Sequence, residues 1–433
     1  MRSLFSLFAV VVLAGCPGGG MLPDGGDVPD GGDEQTVDAG ILPRSHNATG
    51  YALTVQSGKI VAVGSGGDGS ERFPDVFLAR VNADLTLDTT FASRGFTHVD
   101  FDGGTMDLQS FTTDGLLAVM SDGDKIVATG FARGIATIPA GSPIIARFNA
   151  DGSLDTTFNT RGYALFDFNP MSNSENSAAG YAIGKRADGK YVFAGGLDNG
   201  PTRNRDMFAY RINADGTVDG TFAPRALDFG GSEYANDLVV QGNNLVLGGG
   251  DGFTICRLGD DGMLDTSFGT MGSVKSMGGT MYKLLERSDR TLLAVGMRAA
   301  GSNDTRLKMF RVSADGVPDA SFGAMGVKEI PDISGDIRGA ALLGDDSLIV
   351  YMNTLAGSRL YKITAAGDLD TTWGMGGHKP TGLRINLLNL LAVPRGSNAL
   401  LISGGEAIVT GFTLIELSLG NPTARFAIAK IAL

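Results

Sequence analysis

From residue 47 onward the chain is a succession of short apolar runs rich in valine, isoleucine, leucine and aromatics, broken by glycine, asparagine and aspartate. Such runs fit strands joined by tight turns, and no stretch sustains the 3.6-residue period of a helix. Sixty-five glycines in 433 residues fit the many turns that a chain of short strands requires. The pattern predicts an all-β protein.

The apolar runs are copies of one another. One cassette reads Lys59-Ile-Val-Ala-Val-Gly64, Lys125-Ile-Val-Ala-Thr-Gly130 and Lys190-Tyr-Val-Phe-Ala-Gly195, and recurs near Asn244, Thr291, Ser347 and Ala399. A second follows it: Arg80-Val-Asn-Ala-Asp84-Leu-Thr-Leu-Asp88-Thr-Thr-Phe91, then Arg147 with Asp155 and Phe158. Further copies carry Arg211, Asp219 and Phe222; Arg257, Asp265 and Phe268; Arg311, Asp319 and Phe322; and Lys362, Asp370 and Trp373. Lys430 begins a seventh copy without the Asp-x-x-Phe tail. Self-similarity at tens of residues means a stacked or circular array. The cation positions lie 67, 64, 46, 54, 51 and 68 residues apart, too irregular for a solenoid coil. Seven copies of each cassette predict seven units.

In the second unit, strands are expected around Thr97–Phe101, Gly115–Met120, Lys125–Thr129 and Ile144–Asn149, with an Asp122-Gly123 hairpin. Four strands in about 50–60 residues is the content of a propeller blade. The expected fold is a seven-bladed β-propeller over residues 47–433. The Arg-x-Asn-Ala-Asp-Gly-x-Leu-Asp-x-x-Phe cassette after a Lys-Ile-Val-x-x-Gly strand resembles the bacterial delta-60 repeat family, which implies β-propellers and brings no established activity. The match weakens at Arg257-Leu-Gly-Asp and Lys362-Ile-Thr-Ala.

A ring must pair its two ends, because an open sheet edge invites aggregation. Phe426–Leu433 is expected in a blade completed by N-terminal residues, with Ile41–Arg44 as the candidate. The repeated Arg–Asp pairs and Phe plugs are expected to pin the turn leaving each blade, on the face that also carries the short hairpins. The opposite face carries loops that differ in every unit: Ser65–Asp75, Phe131–Ser142, Asn169–Gly180, Leu197–Asp206, Arg298–Arg306 and Gly405–Thr423. Binding residues favour such loops, although tolerant insertions have the same look.

Residues 1–15 read as a bacterial lipoprotein signal peptide. Arg2 is the basic start, Leu4–Leu13 an apolar core too short to span a bilayer, and Leu13-Ala-Gly-Cys16 the processing site. Cys16 is then the lipidated residue, and the acyl chains anchor the protein to a membrane in the cell envelope, with the outer membrane as the expected one. Residues 16–46, rich in proline, glycine and aspartate, form a tether that cannot bury a core and is expected to stay disordered.

The net charge of −12, with Arg2 and the tether's −5 set aside, leaves −8 on residues 47–433, which gives no electrostatic case for nucleic acid. Cys256 is left without a cysteine partner and reads as a small buried hydrophobe. His46, His98 and His378 have no metal-ligand spacing, and no nucleophile elbow occurs. Gly64-x-Gly66-x-x-Gly69 matches a dinucleotide fingerprint as a string but opens no helix. Asp151-Gly152-Ser153 has the flavour of a calcium loop without its full ligand set and is expected to be a turn. No catalytic residue, metal or cofactor is assigned. Two readings stand: a monomeric, non-catalytic lipoprotein binding a protein or glycan on its variable face, and a propeller lyase or hydrolase with a central-channel site.

Overall fold

The computed structural model describes residues 35–37, 47–67, 75–92, 94–101, 114–132, 141–166, 178–199, 204–250, 252–301, 304–331, 333–354, 357–383, 399–416 and 423–433, all within one unit, Glu34–Leu433. The signal-peptide region and Cys16, most of the tether, Ile41–Arg44 and much of the variable loops lie outside them.

The described strands form seven antiparallel four-stranded sheets. Blade 1 runs Asn47–Gln56, Lys59–Gly67, Asp75–Val81 and Phe96–Val99, from inner to outer strand, and blade 2 runs Gly115–Asp122, Lys125–Ala132, Ser142–Phe148 and Tyr163–Leu165. Blades 3 to 6 repeat this order within 178–227, 235–275, 280–330 and 336–380. Blade 7 holds Leu400–Ser403, Glu406–Glu416 and Thr423–Ala432. Each inner strand packs on the next, and that of blade 7 packs on that of blade 1. The protein is a closed seven-bladed β-propeller.

Its phase differs by one strand from the expected units. Phe96–Val99 pairs with Asp75–Val81 as the outer strand of blade 1 and does not open blade 2. Asn47–Gln56 is the inner strand of blade 1. The cassette therefore joins the third strand to the outer strand of its own blade and is not the link between blades. The variable loops are the connections from second to third strand and from blade to blade.

Closure also corrects the expected boundary. Gln35–Val37, inside the stretch assigned to the tether, is the outer strand of blade 7, with Gln35 opposite Lys430 and Val37 opposite Ile428. The closing strand is not Ile41–Arg44. The two ends are joined in one sheet, which removes an exposed edge.

Six of the inner strands carry a bulge at the same place, between Gly50 and Ala52, Leu116 and Ala118, Gly180 and Ala182, Ala235 and Asp237, Met281 and Lys283, and Ile337 and Gly339. The bulge explains the glycine that ends the Lys-Ile-Val cassette. A Cβ on Gly130 would lie 1.9 Å from the Gly115 carbonyl oxygen, which the bulge drives toward the second strand.

The core sits between blades. Val61, Leu78 and Phe91 of blade 1 pack with Leu116, Ile126, Ile144 and Phe148 of blade 2 in one buried cluster, and comparable clusters fill the other seams. Burying each large apolar side chain contributes about 1.5–3 kcal/mol. Stability is therefore distributed around the ring.

Candidate functional site

The repeated cassette forms a belt on one face. In each of blades 1 to 5 the arginine at the end of the third strand donates through Nε to the aspartate eight residues on: Arg80–Asp88 2.6 Å, Arg147–Asp155 2.8 Å, Arg211–Asp219 2.6 Å, Arg257–Asp265 2.8 Å and Arg311–Asp319 2.6 Å. In blade 6, Lys362 pairs with Asp370 at 3.4 Å. The other aspartate oxygen caps the following turn; Asp155 Oδ1, for example, accepts from Thr157 N at 3.1 Å and Thr157 Oγ1 at 2.6 Å.

The lysine that opens the second-strand cassette meets the same aspartates. Lys59 Nζ lies 2.8 Å from Asp88, Lys125 Nζ 3.4 Å from Asp155 and Lys190 Nζ 2.7 Å from Asp219. This is why the two cassettes travel together. Burial opposes ionisation of Asp155, but bonds from Thr157 and the Arg147 guanidinium overcome it and hold the carboxyl at about 2. The same balance, with Lys59 or Lys190 among the donors, holds Asp88 and Asp219 well below the usual carboxylate range.

The plugs Phe91, Phe158, Phe222, Phe268 and Phe322 are buried, and each lies beneath its own arginine, with Arg80 4.7 Å from the Phe91 ring and Arg311 4.3 Å from Phe322. Trp373 is half-buried, with the Lys379 ammonium 4.8 Å from its ring. Each phenylalanine also reaches the next blade. A Cβ on Gly152, which sits at φ +86°, would lie 2.7 Å from the Phe91 ring. That site tolerates only glycine, for its conformation and for the ring.

Blade 1 carries Leu85 where the other cassettes carry this glycine. Blade 7 takes its outer strand from Gln35–Val37, so among the described residues no cassette and no plug stand beside Leu85. Its side chain takes the space, buried with Ile408 and Ile428 of blade 7, at φ 65°. The left-handed backbone costs about 1 kcal/mol, and burial of the leucine offsets it.

On the inner strands the bulge positions hold Tyr51, Leu117, Tyr181, Asn236, Tyr282 and Arg338. After the bulge, blades 1 to 3 have alanine, whereas blades 4 and 5 have Asp237 and Lys283, a buried pair at 2.7 Å. Asp237 also accepts from Leu284 N at 3.0 Å. Arg338 Nη1 lies 3.2 Å from Asp336, and Tyr51 Oη is 3.0 Å from Ser65 Oγ. These groups are committed to one another.

The variable face carries two features that no linear motif announces. Carboxylate oxygens of Asp206, Asp228 and Glu233 lie within 4.8 Å of one another at the crossover from blade 3 to blade 4. Glu233 is fully buried and already meets Lys275 Nζ at 3.2 Å and the Gly231 amide at 3.2 Å. The second is Lys308, buried in blade 5. Its ammonium donates to the carbonyls of Ser276 (3.1 Å), Met277 (2.7 Å) and Gly278 (2.7 Å) and stands 4.5 Å from the Phe253 ring. Burial pulls Lys308 down to about 8, against the Glu329 charge.

Cys256 is buried, and burial pushes its thiol up to about 12. His98 Nδ1 lies 3.1 Å from the Gly66 carbonyl, and burial lowers His378. Asp151 Oδ1 accepts from Ser153 N at 2.9 Å and Oγ at 2.6 Å, an Asx turn. Gly64 and Gly66 lie in the second strand of blade 1, with no helix after them. No helix among the described residues is long and apolar enough to cross a membrane.

The fold places the chain among β-propellers, and sequence comparison is consistent at repeat level. The family model described as a domain of unknown function (DUF5122) β-propeller matches residues 56–91, 124–158 and 186–222. Each matched segment spans the second strand, the third strand and the cassette to its plug, in blades 1, 2 and 3. Blades 1, 2 and 3 are thus similar in sequence to the repeats of that family. No curated protein matches it in sequence. Among solved structures, the β-propeller domain of the Trilobed protease from Pyrococcus furiosus is similar at 9% identity and a TM-score of 0.43, over 89% of this chain and 95% of that one. Pyrococcus horikoshii acylaminoacyl peptidase is similar at 11% identity and a TM-score of 0.41, over 87% of this chain and 52% of that one. The chain thus spans about half of that peptidase.

Proposed function

We propose that the protein is an envelope lipoprotein of the delta-60 repeat type, acylated at Cys16, whose propeller is a non-catalytic scaffold binding a protein or glycan on its variable face. The observation that carries the non-catalytic reading is the commitment of the ionisable groups brought together. The cassette aspartates, the Asp237–Lys283 pair and Lys308 are each tied to partners that hold strands or turns in place. Side chains so engaged are poorly placed to move protons to or from a substrate.

The anchor rests on the Leu13-Ala-Gly-Cys16 site and the Pro/Gly/Asp-rich segment after it. Metabolic labelling with an alkyne fatty acid, followed by mass analysis of the N-terminal peptide, tests it. Label on the wild type and none on Cys16→Ser is the expected result; an unlabelled wild type overturns the anchor. For the binding role, a photo-crosslinking residue at Met277, on the variable face, is expected to give adducts in cells. Their absence there and at Arg298 would remove the ligand from this face. A lyase or hydrolase draws its support from the Asp206–Asp228–Glu233 group. Calcium protection of the fold against heat, lost in Asp228→Asn, would favour that reading.

A further inference from the structure

We propose that the cassette face of the ring docks against the phospholipid headgroups of the membrane to which Cys16 anchors it, a reading that rests on the anchored lipoprotein proposed above. The first observation is where the chain joins the ring. Gln35 opens the outer strand of blade 7 opposite Lys430, and Lys430 stands where the cassette cations stand in the other blades. The segment carrying Cys16 therefore meets the ring on the cassette face. Eighteen residues separate Cys16 from Gln35, and if they form the tether expected from their composition its reach is about 25 Å. A ring held so closely by this face presents it to the bilayer more often than the other.

The second observation is what that face exposes. Three places after the plug, blades 1 to 3 carry Arg94, Arg161 and Arg225, all exposed. Blades 4 and 5 carry Met271 and Met325 at the same place, and blade 6 carries Met375 two places after Trp373. These methionines are 76%, 81% and 60% exposed. Val218, Met263 and Val317, on the cassettes of blades 3 to 5, bring the face to six of the seven large apolar side chains exposed among the described residues. This uneven distribution favours the cassette face over the variable face as a surface for apolar contact. Among the described residues no ion pair engages the three arginines; Arg94 and Arg161 lie 5.5 and 4.4 Å over the rings of Phe96 and Tyr163.

The two halves suit a headgroup layer. Guanidinium groups match phosphate oxygens, and flexible thioethers enter the boundary between headgroups and acyl chains. Acidic hairpins on the same face, such as Asp122 to Asp124 and Asp345 to Asp346, weaken long-range attraction to an anionic bilayer. Docking therefore depends on the anchor to raise the local concentration of the ring at the surface.

The sealed Cys256 makes the test clean, because a cysteine placed on the surface is then the reactive thiol of the ring. Full-length acylated protein carrying Met271→Cys, Met325→Cys or, on the variable face, Met277→Cys is labelled with bimane. It is reconstituted in phosphatidylethanolamine–phosphatidylglycerol vesicles containing a doxyl lipid. Flotation is scored first and quenching second. The expected result is several-fold stronger quenching at Met271→Cys and Met325→Cys than at Met277→Cys, reduced when Arg94, Arg161 and Arg225 are changed to glutamate. Floated protein with equal quenching on both faces overturns docking and leaves the anchor standing. Failure to float overturns the anchor, and docking with it. Bimane at Met325→Cys shielded in native membranes yet unquenched in lipid vesicles would assign the face to a protein partner and also overturn the proposal.

Discussion

The Arg80 guanidinium and the Ala150 carbonyl, 70 residues apart, are hydrogen bonded across the seam between blades 1 and 2. The same arm of the repeated arginine joins Arg147 to Ala214, Arg211 to Asp260 and Arg257 to Ala314. Arg287 bonds to Ala365 and Lys379 to Ala432 in the later seams, and Lys430 reaches Ala83 to close the circle. Arg80, Arg147, Arg211 and Arg257 thus fix their own turns through Nε and hold the next blade through Nη1, whereas Arg311 is engaged only within its own cassette among the bonds described. The cassette cations of blades 1 to 4 and 7 are inter-blade staples.

Arg211 is the most buried of these arginines and makes the sharpest test. Arg211→Ala removes the staple and leaves Asp219 with Lys190 as its remaining cation, at an expected cost of about 3 kcal/mol. Arg211→Lys keeps the charge but cannot serve both partners, and should cost about 1–2 kcal/mol. Denaturant unfolding of the two variants beside wild type measures this. A lysine variant as stable as wild type would show that the second arm contributes nothing.

The plug and the glycine opposite it should be exchangeable as a unit. Gly152→Leu places a side chain into the Phe91 ring and at a left-handed backbone, and is expected to cost over about 3 kcal/mol. Phe91→Ala alone should cost about 3–5 kcal/mol through the cavity left. Combined, the two recreate the Leu85 arrangement at the blade 7 seam, and the double variant should be at least about 2 kcal/mol better than additivity. Thermal midpoints of the four proteins complete the cycle; additive losses would separate Leu85 from the absence of a plug.

Acid should loosen the belt. The folded carboxyls of Asp88, Asp155 and Asp219 are held below their unfolded value of about 3.9. With depressed folded values, their stabilisation is fully present above about pH 4 and is lost as pH falls through the folded values, near 2 for Asp155. The stability of wild type should fall steeply between about pH 4 and 2. Asp219→Asn should be less stable at pH 7 and show a shallower acid limb. Parallel limbs for the two proteins would deny Asp219 a part in the acid response.

The repeat made much of this legible. Seven copies of the Lys-Ile-Val and Arg-x-Asn-Ala-Asp cassettes gave blade number and closed topology. The strand phase was hidden because outer strands such as Ala226–Leu227 and Tyr163–Leu165 are too short to carry a period. The staple was hidden because its acceptors are backbone carbonyls, and the repeated alanine that carries them, as at Ala150 or Ala314, has no polar side chain to announce a hydrogen bond. Asp206, Asp228 and Glu233 meet only through folding, so no spacing revealed them. The division into Arg94, Arg161 and Arg225 in blades 1 to 3 and Met271, Met325 and Met375 in blades 4 to 6 is written in the sequence, but it has meaning only once these residues are known to share a face.

Gln35–Val37 escaped the sequence reading because three residues in a Pro/Gly/Asp-rich stretch carry too little strand propensity to stand out. Their consequence is nonetheless testable. A chain beginning at Glu34 keeps the register of Gln35 with Lys430, Thr36 with Ala429 and Val37 with Ile428, whereas one beginning at Asp38 leaves the outer edge of Thr423–Ala432 unpaired. Three residues of ladder contribute only a few hydrogen bonds of about 1 kcal/mol each, so the shorter chain should still fold, with a lower thermal midpoint. The larger effect is on association. An open edge in the closing blade can pair with another copy, so self-association should rise with concentration and on warming. Size-exclusion chromatography with light scattering, over a concentration series, compares the two chains. The longer one is expected to stay monomeric and the shorter one to assemble. Equal, concentration-independent masses would show that Gln35–Val37 does not guard the ring.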